Sequence, residues 1–306
     1  MPHDQPSGGI VNRVRRLGFY TNYAWRFLAL QQQVPLIYGI APTDRCNLHC
    51  KGCDLSNTDR PDMTWPQMVD LLKNAYSRGF RDLYFTGGEP MLWHDGPRTI
   101  SSAVETAKTL GFFHVHVYTN GTMGLDAPAD LFWVSMDGLP DTFAARRGNH
   151  FEQVETTIRE ARRRRIAVIY VIDRFTACGA EPFLRWVAGT RLPVIGVMFY
   201  FHTPYYGIDE LHLAREERQT VVGHLLGYIR EGLPILNSPA GLRALASGNW
   251  PRRTAASSIA DVDGEHICCR TAGDETCREC GYAACTEIVE SQRLRPSALL
   301  VMRRYW

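Results

Sequence analysis

The sequence lacks several features that define common classes of protein. Its 34 Lys and Arg residues nearly balance its 32 Asp and Glu, giving a formal net charge of +2, so nucleic acid is not an expected partner. No stretch of 18 apolar residues occurs, and no membrane-spanning segment is predicted. No secretory signal is visible, and the nine cysteines lie mostly in two groups. This pattern favours metal binding in the reducing cytoplasm over disulfide bonds.

The most informative segment is CNLHCKGC, which brings Cys46, Cys50 and Cys53 within eight residues. Three thiolates in so short a stretch can bind one iron–sulfur cluster, and three ligands on a four-iron cube leave one iron open to a reactant. A closed zinc site would need a fourth ligand, either His49 or a distant residue. Zinc is therefore the alternative at this site.

Apolar stretches alternate with helical patterns along the chain. This alternation predicts a parallel sheet covered by helices, and no G-x-G-x-x-G follows the first strand to indicate a dinucleotide site. Helices are predicted over about 64–78, 97–110, 150–164, 180–189 and 215–231, the first with a capping box from Thr64 to Gln67. The six predicted strands are Pro35–Thr43, Arg81–Gly88, Phe113–Gly121, Leu131–Gly138, Arg165–Asp173 and Pro193–Thr203.

Polar motifs follow the predicted strands. Gly87-Gly88-Glu89-Pro90 comes after the second strand, and its glycines would let backbone approach a ligand while its carboxylate meets an ammonium group. A strand-ending turn is the alternative interpretation of such motifs. The remaining polar candidates at strand ends are Thr119, Asn120, Ser135, Asp137, Asp173, His202, Tyr205 and Tyr206.

The C-x3-C-x2-C spacing, followed by GGEP after a strand, resembles the signature of radical S-adenosylmethionine (SAM) enzymes of the MoaA/NifB/PqqE-like group. The resemblance covers about residues 35–210. It implies an α/β fold, a partial (β/α)6 TIM-like barrel, with catalytic loops at the carboxyl ends of the strands. Gly52 departs from the aromatic residue usual at its position, and small residues there are found in the hopanoid-type adenosylating subgroup.

The resemblance also implies residue roles. Cys46, Cys50 and Cys53 would hold a [4Fe-4S] cluster whose open iron chelates SAM. The cofactor would be bound by the GGEP residues at its amino group, by Thr119 and Asn120 at the nucleoside, and by Ser135 and Asp137 at the ribose and carboxylate. The substrate candidates are Asp173, His202, Tyr205 and Tyr206.

A second group of cysteines lies outside the predicted barrel. Its spacing suits one tetrahedral metal site or one cube-shaped cluster, and it resembles the SPASM/twitch-like auxiliary-cluster extensions that follow many radical SAM barrels. We expect a second [4Fe-4S] cluster here, with zinc as the alternative. Cys178 stands apart and is expected to be a buried apolar residue. The group comprises Cys268, Cys269, Cys277, Cys280 and Cys285.

Three regions are expected along the chain. Residues 1–34 form an N-terminal helical extension in which Ile10, Val11 and further apolar residues alternate with arginines. This helix either packs on the outside or base of the barrel or rests on a membrane surface. Residues 35–231 form the barrel, and residues 232–306 form the cysteine-rich extension, entered through a loop over 232–257.

The resemblance implies reductive cleavage of SAM to methionine and a 5′-deoxyadenosyl radical, which abstracts hydrogen or adds to an alkene. It also implies a one-electron donor such as flavodoxin or ferredoxin. The expected substrate is a small non-peptide metabolite, namely an isoprenoid or lipid-like molecule, a sugar or a nucleoside. The CNLHCKGC and CRECGYAAC segments resemble the hopanoid-type subgroup, and no peptide-recognition domain is expected in so short a leader. The alternatives are an enzyme that modifies ribosomal peptides and a non-catalytic iron–sulfur or zinc protein.

Overall fold

A computed structural model describes residues 9–304, with side chains described from residue 13 onward. The main sheet has eight strands in the order β10-β9-β1-β2-β5-β6-β7-β8, and β3 pairs with β4 in a small separate hairpin. The strands are β1 (Ile37–Ile40), β2 (Asp82–Phe85), β3 (His94–Asp95), β4 (Arg98–Thr99), β5 (His114–Thr119), β6 (Leu131–Ser135), β7 (Ile166–Ile172), β8 (Val197–Phe201), β9 (Ser257–Asp261) and β10 (Gly264–Ile267).

The six predicted strands correspond to β1, β2, β5, β6, β7 and β8, which pair in parallel along the sheet. Strands β6, β7 and β8 are apolar nearly throughout and almost wholly buried, as expected for strands covered on both faces. Among the described residues, the outermost strands β10 and β8 do not pair with each other. The predicted α/β fold is therefore confirmed, and its mainly parallel sheet is open, as a partial barrel requires.

The five predicted helices are confirmed. Helix α1 lies within the expected N-terminal helical extension, and the described residues form five further helices. Helix α2 begins at the predicted capping box, in which Thr64 and Gln67 satisfy each other's backbone groups. The helices are α1 (Gly9–Leu28), α2 (Trp65–Ser77), α3 (Ile100–Leu110), α4 (Pro140–Arg147), α5 (Phe151–Glu160), α6 (Ala180–Gly189), α7 (Arg215–Arg230), α8 (Pro239–Ser247), α9 (Asp274–Arg278), α10 (Ala283–Gln292) and α11 (Pro296–Met302).

The prediction of a loop over 232–257 is wrong for the middle of this segment, which forms helix α8. Ser238 caps this helix by accepting a hydrogen bond from the Gly241 backbone N–H at 2.8 Å, and Pro239 occupies the first helical turn. Both are standard helix-start residues. The turn-forming composition of the segment therefore marked a helix cap as well as a loop.

The C-terminal region is part of the main sheet. Strand β9 pairs in parallel with β1, and β10 pairs antiparallel with β9. The short sequence of β9, Ser-Ser-Ile-Ala-Asp, is too polar to predict a strand, but its residues are buried against β1. The division of the chain at residues 34 and 231 stays a prediction, and residues 1–8 lie outside the described part of the chain.

Helix α1 closes the base of the barrel, defined here as the end where the parallel strands begin. Tyr20 donates a hydrogen bond to the Asp82 carboxylate, 3.1 Å away, and His114 lies 2.8 Å from the same carboxylate. Arg16 donates to the Phe113 carbonyl oxygen at 2.7 Å. The helix thus packs against the first residues of β2 and β5. No helix in residues 9–304 is long and apolar enough to cross a membrane.

Candidate active site

One cavity of about 340 Å³ lies inside the sheet and opens at the carboxyl ends of the strands. Both predicted cysteine groups contribute to its wall, although they are more than 200 residues apart in sequence. The cavity is lined by Cys46, Cys50, Cys53, Cys268, Cys269, Cys277, Cys280 and Cys285, together with Gly87, Gly88, Thr119, Asn120, Ser135, His202 and Tyr205 from the predicted site. The structure therefore brings most of the predicted residues together.

The first cysteine group lies on an irregular loop that follows β1. Asn57 supports this loop from within, since its side chain accepts a hydrogen bond from the Cys46 N–H at 2.8 Å and donates to the Leu48 carbonyl at 2.9 Å. The Asn120 amide lies 3.7 Å from the Cys46 sulfur. Burial raises the pKa of the Cys46 and Cys50 thiols.

The two glycines of GGEP let this turn pack against the start of the cysteine loop. Gly88 donates to the Thr43 carbonyl at 2.9 Å. A Cβ on Gly87 would lie 2.3 Å from the Thr43 carbonyl oxygen, and one on Gly88 would lie 2.3 Å from the Asp44 and Arg45 carbonyl oxygens. The glycines are therefore needed for close contact between two backbone segments, in addition to any contact with a ligand.

Glu89 is fully buried, and its carboxylate is already bonded within the protein. It accepts hydrogen bonds from the Thr119 hydroxyl at 2.8 Å, the Asn120 N–H at 2.7 Å and the Met91 N–H at 3.0 Å. Burial raises its pKa, and these donors oppose that rise. The carboxylate thus fixes the end of β5, while the backbone of Gly87 and Gly88 forms the cavity wall. Pro90 is buried beside it and begins a short 3-10 turn.

Asp137 is buried behind the cavity wall, where it pairs with two arginines of α4. Arg146 lies 3.0 Å and Arg147 2.7 Å from the same carboxylate oxygen. Arg147 also lies 3.7 Å from the Cys50 sulfur. Asp137 therefore positions a cation beside the first cysteine group, and Ser135, two residues before it, lines the cavity itself. Arg147 could not be predicted from the sequence, because helix α4 was not predicted.

The second cysteine group spans the end of β10 and the helices α9 and α10. The Cys268 and Cys285 sulfurs are 3.8 Å apart, and Arg253 donates to the Cys277 sulfur at 3.3 Å. The hydrogen bond from Cys285 lowers the pKa of Cys268 to about 7, whereas burial raises that of Cys280 to about 12. Both adjacent cysteines, Cys268 and Cys269, face the cavity.

A network of buried ion pairs joins the two cysteine groups. Arg270, next to Cys269, lies 2.7 Å from both Asp44, two residues before Cys46, and Asp261 at the end of β9. Arg60 pairs with the same two carboxylates. All three of Arg270, Asp44 and Asp261 are almost completely buried. The network therefore fixes the C-terminal region against the loop that carries the first group.

Tyrosines fill much of the remaining cavity wall. Tyr84 and Tyr118 meet edge to face with ring centroids 5.4 Å apart, and Tyr118 hydrogen-bonds to Tyr200. Gly39 makes room for Tyr84, since a Cβ there would lie 2.3 Å from its ring. Tyr282 contacts Tyr205 through their hydroxyl groups. The alternation of side chains along β2 and β5 could have indicated Tyr84 and Tyr118.

The four substrate candidates have different surroundings. His202 and Tyr205 line the cavity. Asp173 is buried away from it, pairs with Arg146 and accepts hydrogen bonds from the Phe175 and Thr176 N–H groups. Tyr206 is 74% exposed. The prediction that Cys178 is buried was wrong, because this cysteine is exposed after β7.

The cysteine sets fit iron–sulfur clusters in their chemistry. Cysteine thiolates are the usual cluster ligands, and the cation of Arg147 and the amide of Asn120 beside the first group favour the thiolate form. Within residues 13–304, no group of three or more His, Cys, Asp or Glu side chains is arranged for a single metal ion.

Residues 40–187 match the family model of the radical SAM superfamily. The chain carries a radical SAM domain. It is 37% identical over 95 residues to a 7-carboxy-7-deazaguanine synthase from Halobacterium salinarum, covering 30% of this chain and 35% of that protein. It is 30% identical over 133 residues to a probable GTP 3′,8-cyclase from Methanothermobacter marburgensis, and this match covers 40% of this chain and 42% of that protein. The chain thus spans less than half the length of these relatives.

The radical SAM fold extends over most of the described chain. The crystal structure of Streptococcus suis SuiB bound to S-adenosylmethionine superposes with a TM-score of 0.63 at 13% identity. The superposition covers 89% of this chain and 70% of SuiB. Since the matched region contains the cysteine loop and GGEP, the radical SAM family implies a [4Fe-4S] cluster and SAM as cofactors. The superfamily match ends before the second cysteine group.

Proposed function

We propose that this protein is a radical SAM enzyme that uses a 5′-deoxyadenosyl radical on a small non-peptide metabolite. The observation that carries the proposal is the single cavity lined by both cysteine groups and by the GGEP glycines. An isolated electron carrier needs no such cavity beside its cluster. A cavity of several hundred Å³ with a few polar groups is typical of small-molecule sites.

Cys46, Cys50 and Cys53 would hold the first cluster. A reduced cluster held by these cysteines would supply one electron to SAM, and cleavage of the sulfonium C–S bond would then give methionine and the 5′-deoxyadenosyl radical. The protein binds and orients the reactants and excludes water from the reacting atoms. The Gly87 and Gly88 backbone, Asn120 and Ser135 are the groups that we assign to SAM.

His202 is the residue best placed to accept a proton in the cavity. It is 4% exposed, and its ring lies 2.7 Å from the Asp209 carboxylate. Burial lowers the pKa of His202, and Asp209 opposes that shift. Burial thus favours the neutral imidazole, which is the form required of a base. Tyr205, linked to Tyr282, is assigned to the substrate side of the cavity.

We assign a second [4Fe-4S] cluster to the C-terminal cysteine group, with zinc as the alternative. Two clusters predict about eight irons per chain, whereas a zinc site in the second group predicts about four irons and one zinc. Metal analysis of anaerobically reconstituted protein separates the two. A variant in which Cys277 and Cys280 are replaced by Ala should lose only the second metal.

Two observations support a small substrate rather than a peptide. Two relatives are named for reactions of GTP and of a deazaguanine. In addition, the C-terminal segment is fastened across the end of β8, since the Phe201 N–H donates to the Gly281 carbonyl and the Gly281 N–H donates to the Thr203 hydroxyl. This contact closes one side of the cavity. Specific, tight binding of a precursor peptide would contradict the proposal.

The test is turnover under strict anaerobiosis. Reconstituted protein receives SAM and dithionite, and 5′-deoxyadenosine is measured by mass spectrometry. We expect product from the parent and none from the Cys46/Cys50/Cys53→Ala variant, while the matched control Cys178→Ala retains full activity because Cys178 lies outside both groups. Product from the triple variant would overturn the proposal. Retention of zinc in place of iron in the parent would favour a structural metal protein.

A further inference from the structure

A second concave site lies at the base of the barrel, opposite the mouth of the active-site cavity. It is an apolar groove of about 530 Å³ between α1 and the helices α10 and α11. Tyr23, Phe27 and Leu28 line one side, and Ile288, Leu299 and Met302 line the other. Leu36 and His114, at the starts of β1 and β5, lie at its floor. No part of the proposed chemistry uses this groove.

Exposed apolar side chains lie on the helices that form the groove. On α1, Leu17 is 69% and Trp25 61% exposed, and Val14, three turns before Trp25, lies on the same outward face of the helix. Across the groove, Leu294 and Leu300 are exposed by more than half. Single exposed apolar residues are ordinary, but an apolar groove next to several exposed apolar side chains marks an interaction surface.

The same face is strongly basic. Helix α1 has four arginines and no acidic residue, and α11 has no acidic residue either. Arg303 lines the groove. The loop of Arg162–Arg165 lies beside α11, because Arg165 donates to the Arg304 carbonyl at 3.2 Å. The one acidic residue at the end of α10, Glu290, is buried and paired with Arg293. The arginines of this face are Arg13, Arg15, Arg16, Arg26, Arg162, Arg163, Arg164, Arg165, Arg293, Arg295, Arg303 and Arg304.

We propose that this basal face docks on an anionic lipid bilayer. Leucine and tryptophan side chains between arginines are the composition of interfacial membrane-binding helices. Tryptophan favours the headgroup level, and arginines keep their charge in water while their stems contact lipid. A second copy of the chain does not suit the face, because two basic surfaces would repel each other. The docked molecule would turn the mouth of its cavity away from the membrane.

The test is co-sedimentation of the full chain with vesicles of phosphatidylcholine alone or mixed with phosphatidylglycerol. We expect binding that rises with phosphatidylglycerol content and falls with added salt, since exposed charges are screened within about 10 Å at 0.1 M salt. Charge reversal by Arg13→Glu or Arg303→Glu should each weaken binding at least about fivefold, because one basic residue near an anionic surface contributes about 1 kcal/mol. Trp25→Ser should weaken binding to both vesicle types without changing the salt dependence.

Matched controls lie at the opposite end of the barrel. Arg174→Glu changes a 58%-exposed arginine after β7, and Ile208→Glu changes a 68%-exposed isoleucine. Both should leave vesicle binding unchanged, and circular dichroism should show that every variant is folded. The proposal is overturned if vesicle binding does not depend on phosphatidylglycerol content, or if the control variants weaken vesicle binding as much as the arginine variants do. Binding of monomeric anionic lipid without binding of vesicles would also overturn it. Equal vesicle-bound fractions of parent and Arg13→Glu would also contradict it.

Discussion

The two cysteine groups reach the same cavity by different means. The first group occupies one loop and is supported by nearby residues, such as Asn57, and by the turn at Gly87 and Gly88. The second group is spread over a strand end and two helices, and its place depends on contacts with distant parts of the chain. A short motif therefore specifies a local ligand set, whereas a dispersed ligand set must be fixed by tertiary structure.

The largest effect is expected from disruption of the ion-pair network that fixes the second group against the first. Arg270→Met should lower the free energy of unfolding by about 3 kcal/mol, because the buried Asp44 and Asp261 carboxylates lose an arginine that pairs with both of them and keep Arg60 as the other. Denaturant unfolding measures this loss. We expect the second group to lose metal first, since Arg270 is adjacent to Cys269.

Two variants control that experiment. Arg270→Lys keeps a positive charge and should recover part of the stability, although lysine cannot contact both carboxylates as the planar guanidinium does. Arg174→Gln removes an exposed arginine at the mouth and should leave stability unchanged. An Arg270→Met protein as stable as the parent would show that the network does not fix the C-terminal region.

Two glycine substitutions should impair metal binding by one cysteine group at a time. In Gly281→Ala the new Cβ would lie 1.9 Å from the Phe201 carbonyl oxygen, and in Gly88→Ala it would lie 2.3 Å from the Asp44 and Arg45 carbonyl oxygens. Each should cost about 1–3 kcal/mol through forced backbone shifts. Gly281→Ala should impair the second metal, and Gly88→Ala the first.

Iron content would be measured for each glycine variant in two backgrounds. One background lacks the cysteines of the first group, and the other lacks those of the second group. Gly223→Ala in α7 is the matched control, because nothing lies within 4 Å of the added methyl group. It should be neutral or slightly stabilising, as alanine is favoured over glycine inside helices. Equal loss of both metals in both variants would mean that the two groups fold as one unit.

The smallest expected effects concern side chains that bond locally within each group. Asn57→Ala removes hydrogen bonds to Cys46 and Leu48 and should cost about 1–2 kcal/mol. Arg253→Ala removes an exposed arginine from Cys277 and Asp274 and should not move the unfolding midpoint detectably. The midpoints of thermal unfolding of the two metal-free variants and of the metal-free parent measure these effects. A larger loss from Arg253→Ala would show that the second group is locally supported after all.

These contrasts explain what could be predicted from the sequence. Apolar stretches indicated the six parallel strands, and Cys46, Cys50, Cys53 and GGEP indicated the motif because each is local in sequence. Strand β9 could not be predicted, because its polar residues form a strand only against the exposed edge of β1.

The functional details that were missed depend on distant partners. The contact of Glu89 with a ligand stays a prediction, whereas the bonding of its carboxylate to the end of β5 is a feature that GGEP alone does not reveal. Arg147 and Arg270 were missed because their roles depend on Asp137, Asp44 and Asp261, which lie elsewhere in the chain.

One side chain belongs to both concave sites. Ile288 of α10 lines the active-site cavity and also the groove at the base. The cavity and the groove therefore meet at this residue. Replacing Ile288 with alanine would thin the partition between the two spaces, and a larger apolar residue would thicken it.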